Sequence, residues 1–283
     1  MSYSRHRGIS KPLPGCFVDW THPLSRGLIG CWMFNERAGS TVVDMSGNRI
    51  TGSVIGMVAA TGWVGSPRGG CLTLNGSSNY IDLGLAPCLN TTVGLTVFAR
   101  VMPTAAMATF SGIIQSAKDS SSESGFILLG VTAGGPGDAG FIRFYGSKPS
   151  HAWAYAQSDV VLRTLQWYNL AGVWNGANIS LYVDGVAQST VGSLTSIFYG
   201  TLITSAMIGR YSGASAEVYY NGCISDIRIF NRPLSTSEIV DLNNPAGLYS
   251  NILSPSYRRY FIPAAGGLSI PVAMHYRRMM GRN

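Results

Sequence analysis

From Cys223 to Phe230 the chain alternates two sets of side chains, and Pro233 stops the pattern from running on. Ile224, Asp226, Arg228 and Phe230 form one set; Cys223, Ser225, Ile227 and Ile229 form the other. A period of two, rich in β-branched residues, specifies a strand. Proline has no N–H for a sheet ladder, so the strand must end at Arg232-Pro233 or become an edge there. Ser235 precedes Glu238 by three residues, the spacing of a capping box, so a short helix is expected to open at Ser235. The polar pair Asp226 and Arg228 is expected to face solvent or a neighbouring charged strand.

The same grammar repeats along the chain. Alternating or apolar runs at Gly27–Phe34, Leu95–Val101, Gly112–Gln115, Gly125–Val131 and Gly140–Tyr145 read as strands. Leu72–Leu83 reads as strand, turn, strand. Trp167–Gly176 meets Asn178–Val186, and the dipeptides Asn175-Gly176 and Asp184-Gly185 are strong hairpin-turn signals. The chain has 35 Gly, 46% hydrophobic and only 12% charged residues, which suits many short strands joined by tight turns. No apolar run approaches the roughly 20 residues that span a bilayer. The N-terminus is basic and lacks the apolar core of a secretory signal.

Several of these pieces resemble landmarks of laminin-G-like (concanavalin A-like) β-sandwich domains. The strand Trp32-Met33-Phe34 followed by the turn Asp44-Met45-Ser46-Gly47-Asn48 is similar to the opening of such domains. Leu72–Leu83, the hairpin around Asn175-Gly176, Met207-Ile208-Gly209-Arg210 and the strand Cys223–Phe230 follow in family order. The resemblance implies an all-β fold: a two-sheet antiparallel β-sandwich, a concanavalin A-like jelly roll. It spans about three quarters of the chain. We divide the chain into a basic N-terminal arm at 1–22, a body at 23–248 and an Arg/aromatic-rich C-terminal arm at 249–283, with both arms extended.

Charge supports that division. The chain carries 20 Lys and Arg against 13 Asp and Glu. No acid precedes Asp19 and none follows Asp241, while the two ends hold Arg5, Arg7, Lys11, Arg258, Arg259, Arg277, Arg278 and Arg282. The remaining body is close to neutral. Basic arms point to an acidic partner: nucleic acid, a membrane surface or an acidic protein lattice. Tyr260 and Phe261 follow the Arg258-Arg259 pair, and Arg with aromatics is the composition of interface hot spots. The five cysteines have no metal-type spacing and are expected as free, buried thiols in a chain made in a reducing cytoplasm.

Catalysis finds little footing. Retaining glycoside hydrolysis needs two carboxyl groups about 5 Å apart, and Glu36, Glu123, Glu217 and Glu238 are isolated in sequence. We expect a protein that is not an enzyme. Laminin-G-like domains often hold calcium on loop oxygens, which makes Asp44, Asn48 and Asp82 weak calcium candidates. Asx-turns explain the same residues without a metal, so no cofactor is expected. Trp153, with Tyr155 close by, is the candidate glycan contact, although burial in a core or subunit interface suits it as well.

A narrower resemblance joins the pieces. Trp20–Leu28, Asn231–Ile239, Asn244–Leu248 and an Arg-rich tail together are similar to virion proteins of tailed bacteriophages and prophages. That implies a structural protein of the virion, assembled in the host cytoplasm, most simply a capsid decoration or accessory protein. Its arms would clasp the major capsid or other virion proteins, and it would form a homo-oligomer. The alternative is a carbohydrate-binding tail adhesin for host-surface glycans. Binding to nucleic acid or a membrane is not expected, because the body is neutral and lacks an apolar span.

Overall fold

In a computed structural model the protein is a two-sheet antiparallel β-sandwich, to which a short helix is added near the end of the body. The structure describes residues 11, 16–57, 62–116, 124–133, 135, 137–201, 205–213, 217–244, 249 and 253–254. In chain order the strands are β1 (Phe17–Val18), β2 (Leu28–Trp32), β3 (Thr41–Val42), β4 (Gly52–Ile55), β5 (Trp63–Ser66), β6 (Gly69–Asn75), β7 (Tyr80–Gly84), β8 (Leu95–Pro103), β9 (Ser111–Gln115), β10 (Phe126–Val131) and β11 (Asp138–Ser147). They continue as β12 (Trp153–Gln157), β13 (Leu162–Arg163), β14 (Tyr168–Trp174), β15 (Asn178–Val183), β16 (Val186–Ala187), β17 (Gly192–Ser193), β18 (Ala206–Ile208), β19 (Arg210–Ser212), β20 (Glu217–Tyr219), β21 (Asn221–Phe230) and β22 (Leu253–Ser254). The helix α1 is Thr236–Asn243.

The front sheet runs β12-β11-β10-β9-β18-β7-β4-β3, and the back sheet runs β16-β15-β14-β8-β21-β6-β5, with β2 also paired to β21. Alternation fills the space between them. Leu95, Val97, Ala99 and Val101 of β8 point inward and meet Phe126, Leu128, Ile142 and Phe144 of the front sheet. Trp32 and Trp174 are fully buried there, and each indole N–H donates to a carbonyl, of Ile50 at 2.8 Å and of Leu194 at 2.7 Å. A buried indole without an acceptor would lose the desolvation cost of its N–H.

The turn chemistry read from the sequence holds. Asp184 and Gly185 both have positive φ, 49° and 82°, as a type I′ turn requires. Ser235 caps α1: its hydroxyl accepts from the Glu238 N–H at 3.3 Å, and Glu238 accepts from the Ser235 N–H at 2.9 Å. Leu72–Leu83 is strand, turn, strand, but its halves lie in different sheets. The Asn75 side chain accepts from the N–H groups of Ser77, Ser78 and Asn79 and bends the chain across.

Asp226 and Arg228 correct the sequence reading. Both are fully buried, and Arg228 donates from Nε and Nη2 to the two Asp226 oxygens at 3.1 Å each. Two causes combine. First, Ile224 pairs with Val101 and Asp226 with Arg100, so Ser225 is an extra residue. That bulge flips the alternation: Ile224 joins Ile227 and Ile229 in the core between the sheets, and Arg228 and Phe230 point the other way. Second, the outer face of the back sheet is itself covered. Phe98, Val173 and Phe230 on that face pack with Cys16, Val18, Leu24, Leu234, Ile239, Leu242 and Tyr249. Parts of both expected arms thus lie on the body, and β1 pairs with β22 through Phe17–Ser254 and Val18–Leu253.

Cys16, Cys31, Cys71 and Cys223 are free and buried as expected, whereas Cys88 is exposed. Among the described residues no helix is long and apolar enough to cross a membrane.

Candidate functional site

The outer face of the front sheet carries a cluster of aromatic side chains, Tyr145, Trp153 and Tyr155. It is built by register. Tyr155 of β12, Tyr145 of β11, Ile127 of β10 and Gln115 of β9 stand side by side in one cross-strand row. Gln157, Arg143 and Leu129 form the next row, and Trp153 lies opposite Ser147 on the other flank. Side chains two apart on a strand share a face, so these rows present one surface. Their neighbours Phe144, Ala154 and Ala156 face the core.

The floor of this surface is apolar and closed. Ile127, Leu129, Val131 and Tyr145 are buried, with Phe141, Trp153 and Tyr211 packed against them. The Tyr145 ring lies 5.7 Å from Trp153 in an edge-on arrangement and 5.2 Å from Tyr155. Tyr155 is 40% exposed, Trp153 is half-buried, and both lie on the outermost strand of the sheet. Burial pushes the Tyr145 phenol up, opposed by the hydrogen bond from Arg143.

The β19–β20 hairpin stands on the sheet beside this floor. A Cβ at Gly112 would sit 2.3 Å from the backbone of Arg210 and Tyr211, so only glycine lets the hairpin lie that close. Gln115 fastens it: its side-chain amide accepts from the Ser212 N–H at 2.9 Å and donates to the Ser212 carbonyl at 3.4 Å. Tyr211 then stacks on Phe110 with centroids 5.3 Å apart. The result is an aromatic floor with a raised wall on one side and, on the other, the outermost strand β12, against whose backbone Gly192 of β17 packs.

Arg143 is the cation of this surface. Its Nε donates to Gln157 Oε1 at 2.6 Å, its Nη1 donates to the Tyr145 hydroxyl at 2.9 Å, and its guanidinium lies 4.8 Å from the Tyr155 ring centroid. The arrangement offers ring faces for stacking and a fixed polar head for hydrogen bonding.

The structure brings the sequence candidates Trp153 and Tyr155 together through Tyr145. Trp153 opens a regular strand, β12, and Tyr155 lies two residues further along it. Arg143 and Tyr145 were missed as site residues. Their signal was present: in the strand read at Gly140–Tyr145, Phe141, Arg143 and Tyr145 alternate with apolar Ile142 and Phe144.

The calcium candidates are not assembled. Each Asp44 oxygen already accepts two hydrogen bonds, from Cys31 N, Ser46 N, Ser46 Oγ and Ile50 N. Asp82 lies in β7 of the front sheet and accepts from the Gly84 N–H, and Asn48 donates to the Ile29 carbonyl. Among the described residues no group of three metal-ligating side chains occurs.

Of the partner-anchoring candidates, Lys11 is buried. Its ammonium donates to the carbonyls of Met33, Gly70 and Ser225, so its charge is spent on the body and not offered to a partner. Burial lowers the Lys11 pKa to about 8, with Asp226 pulling it upward. Arg5, Arg7, Arg258, Arg259, Tyr260, Phe261, Arg277, Arg278 and Arg282 lie outside the described residues.

Comparison with known proteins gives the same fold. Residues 75–240 match the laminin-G family model described as the concanavalin A-like lectin/glucanases superfamily. No curated protein matches the chain. Domain 4 of the extracellular arabinanase AbnA from Geobacillus stearothermophilus, solved in complex with arabinotriose, is similar at 18% identity and a TM-score of 0.58, over 77% of this chain and 98% of that one. The binding domain of Paraclostridial Mosquitocidal Protein 1 is similar at 14% identity and 0.58, over 78% of this chain and 52% of that one. A structure of botulinum neurotoxin type C, whose cell entry depends on two ganglioside molecules, is similar at 13% identity and 0.53, over 79% and 52%. The chain thus spans about half the length of these two toxin structures, and at such identities the likeness speaks for fold alone.

Proposed function

The chain belongs to the concanavalin A-like lectin/glucanases superfamily, and we propose that it is a non-catalytic glycan-binding protein that takes a saccharide on the outer face of β10, β11 and β12. One observation carries the reading. Trp153, Tyr145 and Tyr155 form a contiguous ring cluster beside Arg143 on the outer strands of the sheet. Aromatic faces stack on the C–H faces of sugar rings, and a few fixed polar groups then select among hydroxyls. The similar solved structures include one in complex with arabinotriose and one dependent on gangliosides, which agrees with this choice of ligand.

The non-catalytic part rests on how the described glutamates are used. Glu36 accepts from the Val43 N–H, Glu217 pairs with Arg210, and Glu238 pairs with Arg232 and caps α1. None of them stands beside the aromatic surface as one of two carboxyl groups. The test is a glycan array followed by calorimetric titration of the full chain. We expect saturable binding that falls about tenfold or more in Trp153→Ala, as for other aromatic anchors, with a cooperative melt that shows the variant still folds despite the packing lost against Tyr145. Binding that survives both Trp153→Ala and Tyr155→Ala would refute this site.

We also propose that this surface is displayed from a virion, as a capsid decoration or accessory protein held by its arms. One observation favours that setting. β1 and β22 pair with each other, and Val18 packs on the outer face of the back sheet. The described residues nearest the two ends thus lie on the side opposite the aromatic surface, and anchoring through the terminal segments would leave that surface facing outward. Deleting residues 1–10 and 255–283 should abolish co-sedimentation with particles and leave glycan binding intact. Retained co-sedimentation would refute the anchoring role.

A further inference from the structure

We propose that the aromatic surface selects acidic saccharides, those whose sugar ring carries a carboxylate, and that Arg143 is the residue that selects them. The inference rests on the glycan-binding reading of the same surface. It starts from where one cation stands. Arg163, Arg210, Arg228 and Arg232 pair with carboxylates, whereas Arg143, like Arg100 with Asn169, bonds neutral acceptors. Those of Arg143 are Gln157 and the Tyr145 hydroxyl, and it stands beside the aromatic rings.

The guanidinium is nonetheless held rigidly. Gln157 fixes its Nε edge, Tyr145 fixes Nη1 from below, and the Tyr155 ring lies 4.8 Å from it. Nη2 has no partner among the described residues and is not a buried orphan. Nη2 therefore remains available to donate, beside the second N–H of Nη1, at an orientation already set. A planar fork of this kind matches a carboxylate with two parallel N–H···O bonds. The ordering cost of the long side chain is already met in the free protein, so a ligand gains more from each bond it makes.

Geometry also places the carboxylate. A sugar ring stacked on Tyr155 lies one row from Arg143, whose guanidinium is 4.8 Å from the Tyr155 ring centroid, while Trp153 lies one row further along β12. A neutral sugar would leave the cation's charge uncompensated. A uronic or sialic acid would supply the missing partner, and a charge-assisted bond outweighs a neutral one.

The experiment compares matched ligands on the full chain by calorimetric titration, at low and at physiological salt. One pair is tetragalacturonate and its methyl ester, which share a shape and differ in charge. The other is sialyllactose and lactose. We expect the charged member of at least one pair to bind about tenfold tighter or more. Arg143→Gln should reduce that member to the affinity of its neutral partner, while Arg143→Lys, which keeps the charge and loses the fork, should restore only part of the gap. Melting temperatures confirm that the variants fold. Equal affinity for both members, or a preference that persists in Arg143→Gln, overturns the proposal and leaves the glycan reading standing. Absence of binding to both pairs and across the glycan array overturns the two together.

Discussion

Replacing Asp226 with Ala should cost this protein a large fraction of its stability. The carboxylate is fully buried in β21 and accepts two hydrogen bonds from a guanidinium that is also fully buried. Removing it strands the Arg228 charge beneath Tyr249, whose ring lies 6.0 Å away, and beside Cys31 on the neighbouring strand. Breaking a buried pair from one side costs about 3–5 kcal/mol, because the remaining charge loses its carboxylate in a place that solvent does not reach. For a domain of this size each kcal/mol moves the midpoint by about 2–4 °C, so thermal unfolding should fall by roughly 10 °C. Asp226 also supports the charge of Lys11, so the N-terminal segment should loosen first, visible as faster proteolysis there. The double replacement Asp226→Leu with Arg228→Met removes both charges together. It should lie closer to the wild type than Asp226→Ala does, since well-packed apolar groups often replace a buried pair at little cost. Chemical denaturation of the wild type, Asp226→Leu, Arg228→Met and the double variant measures the coupling. A loss under about 1 kcal/mol for Asp226→Ala would mean that the pair is solvated, and the account of a covered back sheet would be wrong.

Two further outcomes follow from single groups. Lys11 has a folded pKa of about 8 against 10.5, so between those values the unfolded chain holds a proton that the folded chain has released. Stability should therefore rise with pH through that window, by about 3 kcal/mol at most, and the rise should vanish in Lys11→Met when unfolding is followed from pH 7 to 10.5. Ser235→Ala removes one half of the capping box and should cost about 1 kcal/mol in urea unfolding, with glycan binding unchanged because α1 packs on the back sheet.

Local signals were legible wherever neighbours in sequence supplied the physics. The capping box at Ser235 and Glu238, the type I′ turn at Asp184-Gly185 and the strand from Leu95 are set by residues within a few positions of one another. The edge strand Trp153–Gln157 was not read, since its Ala and Gln residues dilute the β signal and its pairing partner β11 supplies the order. The halves of Leu72–Leu83 were read as strands, but their assignment to separate sheets depends on Leu72 facing β21 and Ile81 facing β18.

The candidate site divides the same way. Trp153 and Tyr155 stood out as aromatic company in the sequence. Their grouping with Tyr145 and Arg143 comes from antiparallel register, which sets residues of β11 and β12 side by side. By itself the sequence determined the all-β class, the turns and the near-neutral body between basic ends, because each follows from residue type and short-range spacing. Tertiary structure alone decided which alternating face met a second layer. It buried Asp226 and Arg228, drew Lys11 into the body and left Arg143 without a carboxylate. Burial and charge pairing depend on what the rest of the chain places opposite a residue, and a bulge of one residue is enough to turn that face around.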